Sequence, residues 1–374
     1  MKPRVVILRG HNANVWELRI WERLADEFAV RALVTGSNLH EVGDLGLEVA
    51  EIATPRDRIP GGRFAGAAAY ALGERYLGLE RQLADADIVH AAELGTWFSA
   101  QAVSAKPAAA KLVLTVWETL PFRDTFRWPR ERGYRRKVLP ALDHCLATTS
   151  RARDALLLEG VPADRISVCP PGVDTARFAG SDAAPTDGHI VLSAGRLVWE
   201  KGHQDAIRAV AALKRGLIGP ARDDVKLVVV GSGPEEAKLR RYAAELDAPV
   251  EFRPHVPYDE MPRLHRSASA LVLASLPVKA WEEQFGMVLA EAMAAGTPII
   301  ACDTGAIPEV LDGQGTLVPA GHWRGIAEAL VAGPLAGAPG ARTAYSAQRL
   351  DDFSLDRAAE RIGAVYRHVL GSRA

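Results

Sequence analysis

Cysteine is scarce in this sequence, with three among 374 residues, at Cys145, Cys169 and Cys302. No C-x-x-C pair occurs, so neither a zinc knuckle nor a redox dithiol is expected. An odd, widely spaced set fits a reducing cytoplasm. Long apolar runs are missing too. No stretch of about 18 uninterrupted apolar residues is present, which argues against a spanning helix. The first residues pass directly into a strand-like run, without the apolar core of a signal peptide. Charge of one sign is absent in bulk, with 45 Lys+Arg against 46 Asp+Glu for a formal −1. That leaves no global basic field for nucleic acid and no acidic solvating tail. No H-E-x-x-H, G-x-S-x-G or G-x(4)-G-K-[ST] occurs, so the zinc-hydrolase, serine-hydrolase and P-loop signatures are all missing.

What is present is an ordinary globular composition, 48% apolar and 24% charged, which excludes disordered, collagen-like and disulfide-scaffold classes. At roughly 100–200 residues per domain the length calls for two domains or three. Short β-branched runs alternate with longer amphipathic ones. Arg4–Leu8, residues 31–34, 48–52 and 87–90, Lys111–Val116 and residues 144–148 read as strands. Residues 15–28 read as a helix with Trp16, Ile20, Leu24 and Phe28 on one face, and residues 64–84 as a long helix rich in small residues. A polar stretch at 179–188 (AGSDAAPTDG) reads as a linker. Alternation restarts with His189–Ala194, Val225–Val230, Val250–Arg253 and residues 270–274, 298–302 and 316–318, and residues 354–370 form a last amphipathic helix. This alternation predicts an α/β protein with parallel sheets covered on both faces. The expected organisation is two doubly wound, Rossmann-like domains facing each other, residues 1–178 and 189–345, followed by a segment at 346–374. Such sheets bind ligands in the crevice beyond the carboxyl ends of their strands.

Two segments carry chemistry. The first is E-Q-F-G-M-V-L-A-E, from Glu283 to Glu291. In one continuous helix two residues eight apart are rotated by about 80° and separated by about 12 Å, so the glutamates would not share a face. Gly286 suggests that the helix begins near Phe285, with Glu283 in the loop before it and Glu291 inside. A helix start offers unpaired N–H groups and a positive dipole end, a ready site for phosphate. Glu283 could then touch what lies on one side of the phosphates, and Glu291 could accept hydrogen bonds from a ribose diol on the other. An ordinary helix cap and an exposed acid would give the same spacing. The second segment is Gly195 to Gly202, G-R-L-V-W-E-K-G, following a strand. Arg196 and Lys201 there could neutralise a departing diphosphate without a metal, or could be solvated loop charges.

G-R-x(4)-K-G, then V-V-V-G-S-G-P from Val228 to Pro234, then E-x(7)-E followed by A-M-A-A-G-T-P-I-I-A from Ala292 to Ala301, resemble the retaining glycosyltransferases of family four. R-I-S-V-C-P-P-G-V-D, from Arg165 to Asp174, resembles that family's interdomain crossing. The resemblance implies the GT-B fold, an amino-terminal acceptor domain and a carboxyl-terminal nucleotide-sugar domain, with the last helix crossing back to the amino-terminal one. It implies a nucleoside-diphosphate sugar as co-substrate, linked to uridine or guanosine, with retention at the anomeric carbon and neither metal nor further cofactor. It places Arg196, Lys201 and Glu283 at the reaction and gives the diphosphate backbone contacts from Phe285, Gly286 and Met287. It also gives the ribose to Glu291 and the base to the loop at His255 and Val256, with Gly195 in the same donor loop set. Gly305 and Glu309 match a loop near the donor end and read mainly as structural.

The amino half departs from that pattern. After the first strand stands Arg9-Gly10-His11-Asn12 with a single glycine, where the family often has two. Gly10 still lets backbone approach a phosphate or sugar, and His11 and Asn12 are candidate acceptor contacts. The family's D-x-x-H-x-H becomes D-I-V-H-A-A-E from Asp87 to Glu93, with Ala92 in the second histidine position. His90 then reads as a strand-end residue or an acceptor contact, and Glu93 and Glu118 are candidates for the polar work. Asp85-Ala86-Asp87 reads as a helix–strand boundary rather than a metal–diphosphate motif. Gly231-x-Gly233 lacks the third glycine of a dinucleotide fingerprint. From Arg123 to Lys137 (RDTFRWPRERGYRRK) seven cations meet two anions, with Phe126, Trp128 and Tyr134 interleaved. This segment is either a membrane-surface patch reaching a lipid-linked acceptor at the inner face, or a solvated basic face, or a grip on an anionic soluble acceptor. A sugar-nucleotide binder without transfer activity, an epimerase and a phosphorylase are the alternative functions.

Overall fold

A computed structural model describes residues 1–43, 45–58, 73–125, 129–180, 187–254 and 256–371. The chain divides into two units, Met1–Gly172 with Leu355–Ala374, and Val173–Ser354.

The first unit is built on a seven-stranded sheet. Its strands are β1 (Arg4–Leu8), β2 (Ala29–Val34), β3 (Glu48–Glu51), β4 (Ile88–Ala92), β5 (Lys111–Val116), β6 (His144–Ala147) and β7 (Ile166–Val168), in the order β3-β2-β1-β4-β5-β6-β7. Every pairing is parallel. Strands covered on both faces need apolar residues at successive positions, and β1 supplies them. Val5 and Ile7 enter one core with Trp21 and Ile88, while Val6 and Leu8 enter the other with Val89 and Leu112. The helix Leu355–Gly371 covers the first of these faces, burying Leu355, Ala358, Ile362, Tyr366 and Val369 at helical spacing. Tyr366 lies under the sheet centre, where its hydroxyl accepts from Trp21 Nε1 at 2.9 Å and pairs with His90 Nδ1.

The second unit has a six-stranded parallel sheet of β8 (His189–Ala194), β9 (Val225–Val230), β10 (Val250–Arg253), β11 (Ala270–Leu273), β12 (Ile299–Asp303) and β13 (Thr316–Pro319). The order β10-β9-β8-β11-β12-β13 reverses direction between β8 and β11. In the first sheet the reversal falls between β1 and β4. These reversals are where doubly wound sheets leave a crevice at the strand ends.

The α/β class and the strands follow the sequence closely, with β7 as an additional strand inside the expected crossing segment. Other expectations change. The second unit begins at Val173, and Phe178 is fully buried in it, with its ring 5.6 Å from His265 and 6.0 Å from Tyr258. Of the linker, residues 181–186 lie outside the described residues. The single helix over 15–28 is a short α-helix, Val15–Leu18, running into a 3-10 helix, Arg19–Leu24. Leu18, Ile20, Trp21, Leu24 and Phe28 are buried, and the spacing of three from Leu18 to Trp21 to Leu24 suits a three-residue turn. Of the long helix over 64–84, residues 64–72 are outside the described residues, and only Leu79–Leu83 is helical among the rest. Gly73 and Gly78 in the left-handed region break it. No helix among the described residues is long and apolar enough to cross a membrane, and all three cysteines are buried free thiols.

Tyr366→Phe keeps the ring and removes two buried hydrogen bonds. We expect a stability loss of about 1–3 kcal/mol, read as a lower urea midpoint. An unchanged midpoint would show that the hydroxyl adds nothing.

Candidate functional site

In the second unit the chain leaves β8 through Gly195 and Arg196 and leaves β11 through Ala274 and Ser275, at the point where strand order reverses. These two loops are in backbone contact. Gly202 has φ +69°, and a Cβ there would lie 1.7 Å from the Ala274 carbonyl oxygen, so no side chain fits. Leu276 N–H donates to the Glu200 carbonyl at 2.8 Å. Buried His203 steadies the first loop, with Nε2 3.2 Å from the Arg196 carbonyl and Nδ1 2.9 Å from Ser193 Oγ. Burial pushes its imidazole down to about 4, so it is neutral at pH 7.

The contact brings two predicted residues together. Lys201 Nζ donates to Glu283 Oε2 at 2.7 Å, and Ser275 Oγ donates to the same oxygen at 2.6 Å. The ammonium lies 4.9 Å from the Trp281 ring centroid, an attractive cation–π placement. Glu283 is held from behind as well, its carbonyl accepting from Ala306 N–H at 2.8 Å. Gly305 is obligatory at that spot, since a Cβ would lie 2.1 Å from the Glu283 carbonyl oxygen. Arg196 is exposed, and its guanidinium has no partner among the described residues.

Beyond Glu283, Gly286 caps the helix Met287–Ala295 at φ +80° without any side-chain cap bond. The first-turn N–H groups of Met287 and Val288 therefore have no capping side chain, which suits an anion. Phe285 anchors this start from below, 2% exposed and edge-on to Phe353 at 5.4 Å. Glu291 sits on the second turn, 9% exposed, with Oε2 3.6 Å from Nε2 of fully buried His265. Neither ring nitrogen of His265 has a hydrogen-bond partner among the described residues. Val256 is half-buried, and His255 lies outside the described residues. No group of three His, Cys, Asp or Glu among the described residues is placed to hold a metal ion.

In the first unit the predicted residues separate into structural and open ones. Gly10 does not offer its N–H outward. That group donates to Tyr76 OH at 2.8 Å, and Phe98 occupies the space beside the glycine. His11 is buried between Thr35 Oγ1 at 2.9 Å and Glu74 Oε2 at 3.1 Å, while Asn12 is exposed. His90 has both nitrogens engaged, by Tyr366 and by Thr115 Oγ1 at 2.8 Å, and burial first and Arg9 second hold its pKa well below the ordinary value. Glu93, at φ +63°, turns back so that Oε1 accepts from Trp117 N–H at 2.8 Å. Burial, and then the neighbouring Glu118, push its carboxyl up to about 8. Glu118 Oε2 pairs with Arg123 at 2.7 Å.

The basic segment is a short 3-10 turn, Arg123–Thr125, and the helix Pro129–Val138, with residues 126–128 outside the described residues. Its cations Arg123 and Arg135 turn inward to carboxylates, and Lys137 donates to Ser104.

Sequence reasoning missed Ser275, Trp281, His203 and His265. The first two flank the recognised motif in the same loop, and position at a strand end was the available signal. The histidines sit on helices and carry no motif.

Residues 22–177 match the family described as Glycosyltransferase Family 4, and residues 174–331 the family described as Glycosyl transferases group 1. A D-inositol 3-phosphate glycosyltransferase from Catenulispora acidiphila is 30% identical over 334 residues, covering 82% of this chain and 78% of that protein. Another, from Acidothermus cellulolyticus, is 37% identical over 204 residues, 50% of this chain and 44% of the relative's own length. Among solved structures, sucrose-phosphate synthase from Thermosynechococcus elongatus superposes with a TM-score of 0.73 at 20% identity, over 100% of both chains. Anabaena HepE in complex with UDP and glucose gives 0.71 at 17% identity, over 98% of this chain and 100% of that one. The fold is GT-B. The chain belongs to the family-four, group 1 glycosyltransferases.

Glu93 generates a stability signature. Its folded pKa lies above the ordinary carboxyl value, so the folded state binds the proton more tightly, and the benefit is lost as pH rises toward 8. Glu93→Gln should therefore gain stability relative to the parent chain between pH 5 and pH 8, read from urea midpoints. A constant difference across that range would show that Glu93 titrates normally.

Proposed function

We propose that the protein moves a hexose-type sugar from a nucleoside-diphosphate sugar to an acceptor hydroxyl, with retention and without a metal. The observation that carries this reading is the convergence, at the β8/β11 reversal, of the unpartnered Arg196, the Lys201–Glu283 pair and the uncapped helix start at Gly286. Arg196, Lys201 and the Met287 N–H would take up the charge that grows on the departing diphosphate. Preorganised donors of this kind lower the barrier because they need not reorient as the bond breaks. Glu283, fixed by Ser275 and Lys201, keeps lone pairs for the sugar hydroxyls. Glu291 would hold the ribose, and backbone near Val256 the base. The acceptor hydroxyl would attack from the face the diphosphate leaves, with the first unit supplying the acceptor contacts. A uridine-linked donor is supported by the shared fold with HepE, whose structures hold UDP and UDP-glucose.

Ala92 favours one second reading, a nucleotide-sugar binder without transfer, because it stands where the resembled family places a histidine near the reacting carbon. Slow donor hydrolysis releasing nucleoside diphosphate separates the two.

Calorimetric titration with UDP, GDP and ADP, without metal, tests the donor site. One diphosphate should bind, and Arg196→Ala should lower turnover by about 10- to 100-fold. Unchanged kinetics in that variant would remove Arg196 from the reaction. Glu291→Ala should weaken nucleotide binding about tenfold while leaving the ligand-free melting temperature in place. An equal loss of ligand-free stability would make Glu291 a structural residue.

A further inference from the structure

A second concave site lies wholly in the first unit, beyond the carboxyl ends of β4 and β5. It encloses about 90 Å³ between the turn after β4, the Arg123–Thr125 and Pro129–Val138 segments, and the end of the helix Ser150–Leu158. Its described lining carries five carboxyl groups, of Glu93, Glu118, Asp124, Glu131 and Glu159, against two guanidiniums, and burial keeps the Glu93 carboxyl largely protonated at pH 7. Each guanidinium is already shared. Arg123 reaches Glu118 at 2.7 Å and Glu131 at 3.7 Å, and Arg135 reaches Asp124 at 3.2 Å and Glu159 at 3.8 Å. The more exposed Arg132 lies 3.9 Å from Asp124.

An acidic lining alone would be a structural ladder. The independent observation is that two deeply buried acceptor atoms of the lining lack donors. The Asp124 and Glu159 side chains are 5% and 10% exposed. Among the described residues Asp124 Oδ1 and Glu159 Oε2 make no hydrogen bond, and the nearest cation to Glu159 Oε2 is Arg135 Nε at 3.8 Å. Burying an acceptor without a donor is costly, more so where it is charged, so the lining is complete only when something brings N–H or O–H groups to it. Burial first, and the neighbouring Glu118 second, raise the Glu93 carboxyl in the same lining.

We propose that this pocket receives a protonated primary amine, and that the amine belongs to the acceptor. The first half stands on the pocket. The second rests on the transferase reading given above. An ammonium is compact, carries three donors and no acceptor, and suits a small cavity of unsatisfied carboxylate oxygens. A phosphate brings charge of the wrong sign. The prediction therefore separates this chain from its relatives named for inositol 3-phosphate, within one fold.

One ring skeleton with three charges provides the test. Calorimetry of the intact protein, without nucleotide, compares 2-deoxystreptamine, myo-inositol and myo-inositol 3-phosphate. We expect the aminocyclitol to bind at least about tenfold tighter than the neutral ring, and the phosphate weakest. Asp124→Asn and Glu159→Gln, each with a parent-like near-UV spectrum, should each weaken the aminocyclitol about tenfold or more. Phosphate binding equal to or tighter than the amine, no amine binding by the folded parent, or amine binding untouched in both variants would overturn the proposal. The three-ligand ranking stands even where a variant fails to fold. A parallel UDP titration keeps the two readings apart. Amine binding without any nucleotide binding would sink the transferase reading and the acceptor half of the proposal while leaving the amine pocket, and nucleotide binding without amine binding would sink the pocket proposal alone.

Discussion

The second unit depends on the contact between the loops that leave β8 and β11. Gly202 lies so close to the Ala274 carbonyl that any side chain would collide, and the Leu276 N–H to Glu200 bond locks the two loops in register. Everything chemical in this unit hangs from that contact. It brings Lys201 from one loop onto Glu283 from the other, with Ser275 bonding the same oxygen. The pair is 16% and 6% exposed, so neither charge is well solvated, and each compensates the other. Removing one partner of such a pair costs about 3–5 kcal/mol, because the survivor is left buried and uncompensated. Lys201 is therefore a fixed cation whose direction is set by Glu283 and the Trp281 face, whereas Arg196, exposed at the loop's start, is the adaptable one.

A different constraint organises the first unit. Arg9 follows β1 and is only 4% exposed, bonding Glu17 at 2.7 Å and lying over the Trp21 ring at 5.1 Å. Its charge helps keep His90 neutral. A neutral imidazole can then bridge Tyr366 and Thr115, which fastens the helix Leu355–Gly371 to the sheet through a polar network in an otherwise apolar core. Such a network is valuable only when every member is satisfied. This explains why the strand-end histidine that resembles a family motif has no nitrogen left for a substrate.

The strands were legible because each is a short β-branched run buried on both faces, and that pattern needs no tertiary information. The helix start after Gly286 was legible because a glycine stands directly before an apolar helical run. What escaped has a common cause. Ser275 and Trp281 matter only because β11 returns beside β8, and His265 only because its helix packs on Glu291. Sequence spacing contains neither fact. Among the described residues of the helix expected over 64–84, which are 73–84, backbone sign at Gly73 and Gly78 confines the helical turn to Leu79–Leu83. Likewise the basic run from Arg123 looked like a surface charge, and its inward pairs combine acids of the run itself, Asp124 and Glu131, with Glu118 before it and Glu159 well after it.

The two sheets share their strand order around the reversal, and each places its first and fourth strands side by side there. Yet the groups delivered beyond those strand ends have opposite character. The second unit presents Arg196 and a helix start, and the first presents Glu93 and, with β5, Glu118. Backbone topology therefore fixes where a ligand can sit and says little about its charge. Charge is decided by side chains within a few residues of each strand end, where substitution leaves the sheet untouched. A chain can keep the GT-B fold and its phosphate-binding half while the other half changes from one acceptor chemistry to another. The family matches accordingly span both halves, residues 22–177 and 174–331, while the groups that would distinguish the proposed acceptor lie between Glu93 and Glu159.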